Sequence, residues 1–451
     1  MNLVILGAAE SGVGAALLAQ AKGHGVFVSD GGVIKPDYKA KLQNANIEFE
    51  ENQHTLTRIL QADEVIKSPG IPEKAAVIQA IRAENIPVIS EIEFASRHTK
   101  ARLIAITGTN GKTTTTLLIH HLLKSAGFSV GLGGNIGHSF AELVIADEFE
   151  YHVLEVSSFQ LDDVRDFRPW IALLLNISPD HIDRYDYSLE KYAAAKLRIA
   201  ENLGMDDYLI YNADDAITER FLTTAFMTAH VLTFSLHHRH NYHLAAYYES
   251  EDVLRLHLPR EDAHPDRVSV TSSPLIGQHN RQNLAAAILA ARVAGATPAQ
   301  IEAALGSFHN ADHRLRLVAD WEGIQFINDS KATNVEAAWY ALDGIKRPLV
   351  WIAGGTDKGN DYASLLPLAA EKVRALICLG VDNTKLRAAF GPVVPLIVET
   401  QNMADAVRQA QVLAQSGDVV LLSPCCASFD LFKNYEDRGQ QFAEAVGEVA
   451  K

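Results

Sequence analysis

The sequence predicts an α/β protein of three domains: a Rossmann-like N-terminal domain, a central domain of P-loop type with a mainly parallel sheet, and a Rossmann-like C-terminal domain. Short apolar strands alternate with stretches of helical periodicity along most of the chain, the pattern of a parallel sheet covered on both faces. The buried-strand signal restarts at Leu3, near Arg102 and around Asp312. At 451 residues the chain also exceeds what one core ordinarily holds. These observations place the domains at 1–94, 95–310 and 311–451.

Composition narrows the function classes. Hydrophobic residues make up 48% and charged residues 21%, the balance of a globular protein. A net charge of −15 argues against nucleic acid as a partner, since that binding needs a basic surface. No apolar run reaches the roughly 18 residues of a membrane span. Cys378, Cys425 and Cys426 fit neither a disulfide framework nor a zinc pattern. The opening Met1 to Gly7 lacks the basic start of a signal peptide, so a cytoplasmic location with reduced thiols is expected.

The first segment opens with the strand Leu3–Leu6 and a glycine-bearing turn that carries Ser11 and Gly12. An alanine-rich helix runs to Lys22, and a second strand ends on Asp30, where an acid often meets a ribose hydroxyl. The glycine spacing departs from G-x-G-x-x-G, so a nicotinamide cofactor is weakly supported. Between the strands Glu64–Lys67 and Pro87–Ile89 lies the turn Ser68 to Pro72, with Gly70 at a strand's carboxyl end.

The second segment holds the strongest signal. Leu103 to Ile106 reads as a strand and breaks into Gly108-Thr109-Asn110-Gly111-Lys112-Thr113-Thr114, after which helical spacing continues to Leu123. A strand, a glycine turn and a helix N-terminus form an anion cradle of inward N–H groups, to which Lys112 adds a full charge. Thr113 is placed to put a hydroxyl on Mg²⁺. The match to G-x-x-x-x-G-K-[ST] is partial, because Ile106 stands at the first glycine position. Glu155 closes the next strand and reads equally as an Mg²⁺ ligand or a helix N-cap. His181 lies between Asp180 and Asp183 in a proline turn, either a metal or acid–base group or an ordinary surface histidine. Lys196 follows three alanines, and spacing alone favours a solvated lysine.

Residues 230–273 alternate polar and apolar residues and are rich in histidine, including His237, His238, His240, His243, His257 and His264. The alternation suggests hairpins, and the histidine cluster reads as a solvated hairpin insertion, with metal binding the alternative. Asn280 and Asn283 lie three apart on one helix face, able to hydrogen-bond an adenine or a ribose; helix capping by Asn280 is the alternative.

The third segment repeats the strand-end logic. Arg314 and Lys331 head it, suited to a γ-phosphate or a developing acyl phosphate. Gly354 to Asp361, with Lys358, and Ser423 to Asp430 are further strand-end turns, together a lysine-bearing rim that fits a small dicarboxylate.

Gly108 to Thr113, Glu155 to Gln160, Asn176 to His181, Asp329 to Asn334 and Ser423 to Gly439 resemble the Mur ligases of peptidoglycan synthesis. Asp329-Ser-Lys-Ala-Thr-Asn334 and Ser428 to Gly439 are most similar to the branch that adds D-glutamate. The resemblance runs from the first strand to the last helix. It implies a UDP-binding first domain, a central ATPase and a third domain that brings the amino acid. It implies ATP, UDP-N-acetylmuramoyl-L-alanine and D-glutamate as substrates, an acyl-phosphate intermediate and two Mg²⁺ sites. By matching position, Gly108 to Thr114 would hold the phosphates. Thr113 and Glu155 would bind one Mg²⁺; His181 and Lys196, the latter as a carbamate, would serve the second. Asn280, Asn283, Arg314 and Asp329 would contact the nucleotide. Ser11, Gly12, Asp30, Gly70, Asn135, Ser157 and Gln160 would contact the UDP-linked substrate. Lys331, Thr333, Lys358, Ser428, Phe429 and Tyr435 would form the D-glutamate pocket. Lys112, His181, Lys196 and Lys331 are the implied catalytic residues. The chain departs from the family at Gly31 and Gly32, where threonine and arginine often follow the acid, and at Thr356, where some members carry an acid. A monomer is the expected state.

Overall fold

The computed structural model describes residues 1–222, 227–237, 244–258, 265–275 and 277–449. They form two compact units, Met1–Pro274 with Gln282–Phe308, and Leu275–Arg281 with His309–Lys451.

The first unit carries two sheets. The N-terminal sheet is all parallel, in the order Glu48–Glu50, Gly25–Ser29, Asn2–Leu6, Glu64–Lys67 and Val88–Ser90. Its central strand is buried from Leu3 to Leu6, as the unbroken apolar run requires. The helix Glu10–Ala21 packs on it and also against the helix Phe140–Ala146 of the next layer. That approach is close: a Cβ added at Gly14 would lie 2.0 Å from Ser139 Oγ. One apolar cluster accordingly runs from Leu3 and Ile5 through Phe94 to Phe140, Leu154 and Leu174.

Polar contacts pin the two layers together. Glu93, buried at the start of the helix Glu91–Ser96, accepts the backbone N–H groups of Arg165, Asp166 and Phe167 at 2.9, 3.0 and 2.8 Å. Its other oxygen pairs with Arg97 at 2.8 Å. Glu91 accepts from Ser139 Oγ and Ala141 N, both at 2.7 Å. Burial pushes the Glu91 carboxyl up from 4.5 to about 7, and Glu10 nearby adds to the rise. Between those two values the folded chain holds a proton that the unfolded chain releases, so stability falls as pH rises through that window. Glu91→Gln should therefore lose less melting temperature between pH 5 and 8 than the parent. Identical pH profiles of Tm would remove Glu91 as the cause.

The second sheet has nine strands among the described residues. From Val130–Gly134 it runs through Tyr151–Glu155, Arg102–Thr107, Ile171–Leu174, Tyr208–Asn212 and His230–Ser235 to Ala246–Ser250, all parallel. Val253–Leu256 and Asp266–Ser269 then complete an antiparallel edge. Ala246–Ser250, Val253–Leu256 and Asp266–Ser269 are successive antiparallel neighbours, the hairpins that the alternation predicts. The strands of 230–273 extend the main sheet, with Leu232, Phe234, Ala246, Tyr248, Leu254 and Val268 buried. These hairpins form a sheet edge whose one face joins the core. His257 stacks on Tyr247 at 5.9 Å, whereas His238, His240, His243 and His264 lie outside the described residues.

The second unit has the strand order Arg316–Trp321, Ile324–Asn328, Val419–Cys425, Leu349–Gly354, Val373–Leu379 and Ile397–Thr400. The first pair is antiparallel and the rest parallel. Cys378, Cys425 and Cys426 are free and buried. Among the described residues no helix is long and apolar enough to cross a membrane.

Candidate active site

In the first unit, three adjacent parallel strands end side by side: Tyr151–Glu155, Arg102–Thr107 and Ile171–Leu174. Their carboxyl ends deliver Glu155, the glycine loop and the Asn176 to His181 turn to one edge, the position where open α/β sheets bind ligands. The loop conformation demands its glycines. Gly108 has φ +154° and Gly111 φ +83°, and a Cβ on Gly111 would sit 2.3 Å from Asn283 Oδ1. The helix Lys112–Ser125 starts directly after it, so its first N–H groups face the loop.

Lys112 Nζ donates to the carbonyls of Gly108 and Thr109 at 2.7 and 2.8 Å. Lys196 Nζ donates to the same Gly108 carbonyl at 2.8 Å and lies over the Tyr192 ring. Lys196 is 1% exposed, which overturns the solvated reading that its spacing favoured. Burial, and Lys112 beside it, push its amine well below the usual lysine range, against the pull of Asp180, Asp162 and Glu155. Glu155 is not a cap. It accepts from Thr113 Oγ1 at 2.7 Å and from Asn135 Nδ2 at 2.8 Å. A hydroxyl and a carboxylate are hard oxygen donors suited to Mg²⁺, which keeps several waters and few protein ligands. Among the described residues no three or more His, Cys, Asp or Glu are grouped so as to hold a metal by themselves.

His181 adopts a left-handed backbone (φ +52°) at the start of the turn Ile182–Tyr185. Its ring meets Phe159 edge-on at 5.4 Å, and Asp180 lies 3.8 Å from Nε2. Asn176 is a member that sequence reasoning passed over. Its side chain accepts Asn110 N at 2.8 Å and donates to Asn110 O at 3.1 Å, continuing sheet-like pairing past the strand. Tyr192 also belongs here, 3.2 Å from Thr109 Oγ1. An asparagine directly after a strand was the available signal for the first; the second depends on a contact across 83 residues.

Several expected ligand contacts have structural duties. Asp30 accepts Ala8 N at 2.6 Å and Gly32 N at 2.8 Å, fastening the first turn. Gly12 is obligatory, since a Cβ there would meet Gly7 O at 1.9 Å. Ser11 is half-buried beside it, and Gly70 has open space around its Cα. Ser157 and Gln160 form a reciprocal capping box, with Gln160 buried. Asn283 buttresses the phosphate loop and accepts from Thr115 Oγ1 at 3.3 Å. The helix begins at Gln278, which places Asn280 inside its first turn. Asn280 is grouped with the second unit and Asn283 with the first.

The second unit repeats the arrangement. The adjacent strands Ile324–Asn328, Val419–Cys425 and Leu349–Gly354 end in the Asp329 to Asn334, Cys426 to Asp430 and Gly355 to Asp361 loops. Thr356 and Ala427 exchange backbone hydrogen bonds at 2.8 and 3.2 Å, which joins two of these loops. Lys331 Nζ lies 4.8 Å over the Tyr435 ring, with Thr333 half-buried beyond it. Ser428 is buried, whereas Phe429 is 73% exposed and Lys358 is exposed at the tip of its turn. Asp357 is committed within that turn, accepting from Gly359 N, Asn360 N and Tyr362 OH. Asp329 accepts from Ser423 Oγ and Leu315 N, and its burial pushes it up to about 7 against the pull of Ser423 and Arg314.

Comparison with known proteins gives three family matches: the MurD N-terminal domain at residues 2–77, the Mur ligase middle domain at 106–291, and the Mur ligase, glutamate ligase domain at 313–426. The UDP-N-acetylmuramoylalanine–D-glutamate ligase of Cytophaga hutchinsonii is 49% identical over 100% of this chain and 99% of its own. That of Bacteroides fragilis is 48% identical over 99% and 100%. Solved structures share the fold at low identity. A pseudomurein peptide ligase type C from Methanothermus fervidus has TM-score 0.63 at 18% identity, covering 100% of both chains. The UDP-N-acetylmuramate-alanine ligase of Thermotoga maritima has TM-score 0.61 at 19% identity, again covering 100% of both.

Proposed function

The chain belongs to the Mur ligase family, and on that premise we propose that it joins D-glutamate to UDP-N-acetylmuramoyl-L-alanine with the cleavage of ATP to ADP and phosphate. It is an ATP-dependent ligase of peptidoglycan precursor synthesis. The observation that carries this reading is the convergence of Lys112, Lys196, Thr113 and Glu155 on one glycine loop, in a chain nearly half identical to D-glutamate ligases along its whole length.

The chemistry follows from the groups present. Loop N–H groups and Lys112 neutralise the phosphates while the substrate carboxylate attacks the γ-phosphorus and ADP leaves. The resulting acyl phosphate is attacked by the amine of D-glutamate; the amide C–N bond forms, phosphate departs and the amine gives up its proton. Mg²⁺, when bound, supplies further charge neutralisation, and Thr113 Oγ1 and Glu155 are the groups that would hold it. His181 and Lys196 would serve a second ion. The lowered Lys196 amine supports its conversion to a carbamate, because only a neutral amine adds carbon dioxide, releasing a proton and leaving an anionic ligand. Asn135, Ser157 and Gln160, with Ser11, Gly12, Asp30 and Gly70, are assigned to the UDP-linked substrate. In the second unit Lys331, Thr333, Lys358, Ser428, Phe429 and Tyr435 are assigned to D-glutamate, and Arg314, Asp329 and Asn280, with Asn283 of the first unit, to the nucleotide. Domains at 1–94, 95–310 and 311–451, a cytoplasmic location and a monomeric state complete the reading.

Phosphate release should require both UDP-N-acetylmuramoyl-L-alanine and D-glutamate. Stimulation by another amino acid, with none from D-glutamate, would refute the substrate assignment. Glu155→Gln should raise the Mg²⁺ concentration for half-maximal activity by about tenfold or more. An unaltered Mg²⁺ titration would take Glu155 out of the metal site.

A further inference from the structure

Arg438 is 1% exposed, on the helix Tyr435–Val449 beneath the three loops of the second unit. It touches two of them and the strand end that leads into the third. Nε donates to Ser330 Oγ at 3.0 Å and one terminal nitrogen to Ser330 O at 2.8 Å. The other terminal nitrogen reaches Cys426 O at 3.2 Å and Gly354 O at 3.4 Å. Ser330 Oγ in turn donates to Tyr435 O at 2.8 Å, so one guanidinium and one hydroxyl tie the loops to the helix. Backbone crowding keeps them in register: a Cβ on Gly355 would lie 2.1 Å from Ala427 O and 3.3 Å from an Arg438 nitrogen.

Every one of these acceptors is neutral. No carboxylate among the described residues forms an ion pair with Arg438; Asp430 and Asp329 act on it only at longer range. Asp329, pushed up to about 7, carries only part of a charge near neutrality. A buried cation without a partner costs several kcal/mol by desolvation, so its retention asks for a compensating anion. The loops above it carry Lys331 and Lys358, both assigned above to the amino acid.

We propose that Arg438 is the positioning and charge-selecting residue of the amino-acid site: it sets the three loops relative to one another, and its unpaired charge favours a substrate with a second carboxylate. The inference rests on the assignment of D-glutamate to these loops. Lysine at this position would keep the charge but reach fewer carbonyls; methionine would fill the space without charge.

The test is steady-state kinetics of Arg438→Lys, Arg438→Met and Arg438→Ala, with D-glutamate and D-glutamine as competing amines. In Arg438→Met the KM for D-glutamate should rise about tenfold or more, clearly more than the KM for ATP, and the preference over D-glutamine should narrow by a similar factor. Arg438→Lys should keep the preference but show the raised KM, and added guanidinium should restore selectivity to Arg438→Ala. Unmoved KM and selectivity, or parallel shifts in every KM and in kcat without rescue, would overturn the proposal. Failure of the parent enzyme to use D-glutamate would instead overturn the substrate reading.

Discussion

Replacing Lys196 by alanine should lower turnover by at least about a hundredfold, and millimolar acetate or another short carboxylate should return part of it. The lysine is buried, shares the Gly108 carbonyl with Lys112, and has its amine pushed well below the usual range. Burial, and then Lys112 on the same carbonyl, disfavour a second ammonium there by desolvation and repulsion. A carbamate removes that repulsion and presents oxygens to a cation, and a diffusible carboxylate can stand in for it once the side chain is gone. Bicarbonate dependence of the parent enzyme gives an independent check. Unchanged turnover in Lys196→Ala removes the residue from the chemistry. Lost turnover with no rescue, and no bicarbonate dependence in the parent, removes the carbamate and leaves a lysine that orders the loop.

The largest stability loss should come from Glu93→Leu. That carboxylate is buried, accepts three consecutive backbone N–H groups and holds Arg97. Removing it strands those donors and half-frees a cation, a cost of about 3 kcal/mol or more. In a unit of this size the melting temperature should fall on the order of 10 °C. Glu93→Gln, which keeps one acceptor oxygen, should lose about half as much. A fall of no more than a degree or two in Glu93→Leu would show that the contacts between the N-terminal sheet and the next layer do not depend on this residue.

These two residues mark the limit of what the sequence discloses. The phosphate loop was legible because its function and its backbone need the same residues: glycines with positive φ, then a lysine, then a hydroxyl at a helix start. Glu155 could be read only halfway, since a strand-end acid suits a cap as well as a cation, and what sets the cap aside is its bonding to Thr113 and Asn135. Lys196 entered through family resemblance, because burial is decided by what packs around a helix and not by spacing within it. Glu93 and Arg438 were invisible. Their partners lie 74 and 108 residues away, and nothing local separates a hub from an ordinary charged side chain. The hairpins of 230–273 were legible as strands, but alternation records only that one face is wet and says nothing of what the other face meets.

The carbonyl shared by two lysines links two equilibria that would otherwise be separate. A change of charge on either side chain alters the competition for that oxygen, and so alters the other's hold on it. Whatever draws Lys112 towards a triphosphate loosens its claim, and whatever turns Lys196 acidic does the same from the opposite side. By reciprocity, if dissolved carbon dioxide tightens nucleotide binding, nucleotide must stabilise the modified lysine by the same factor.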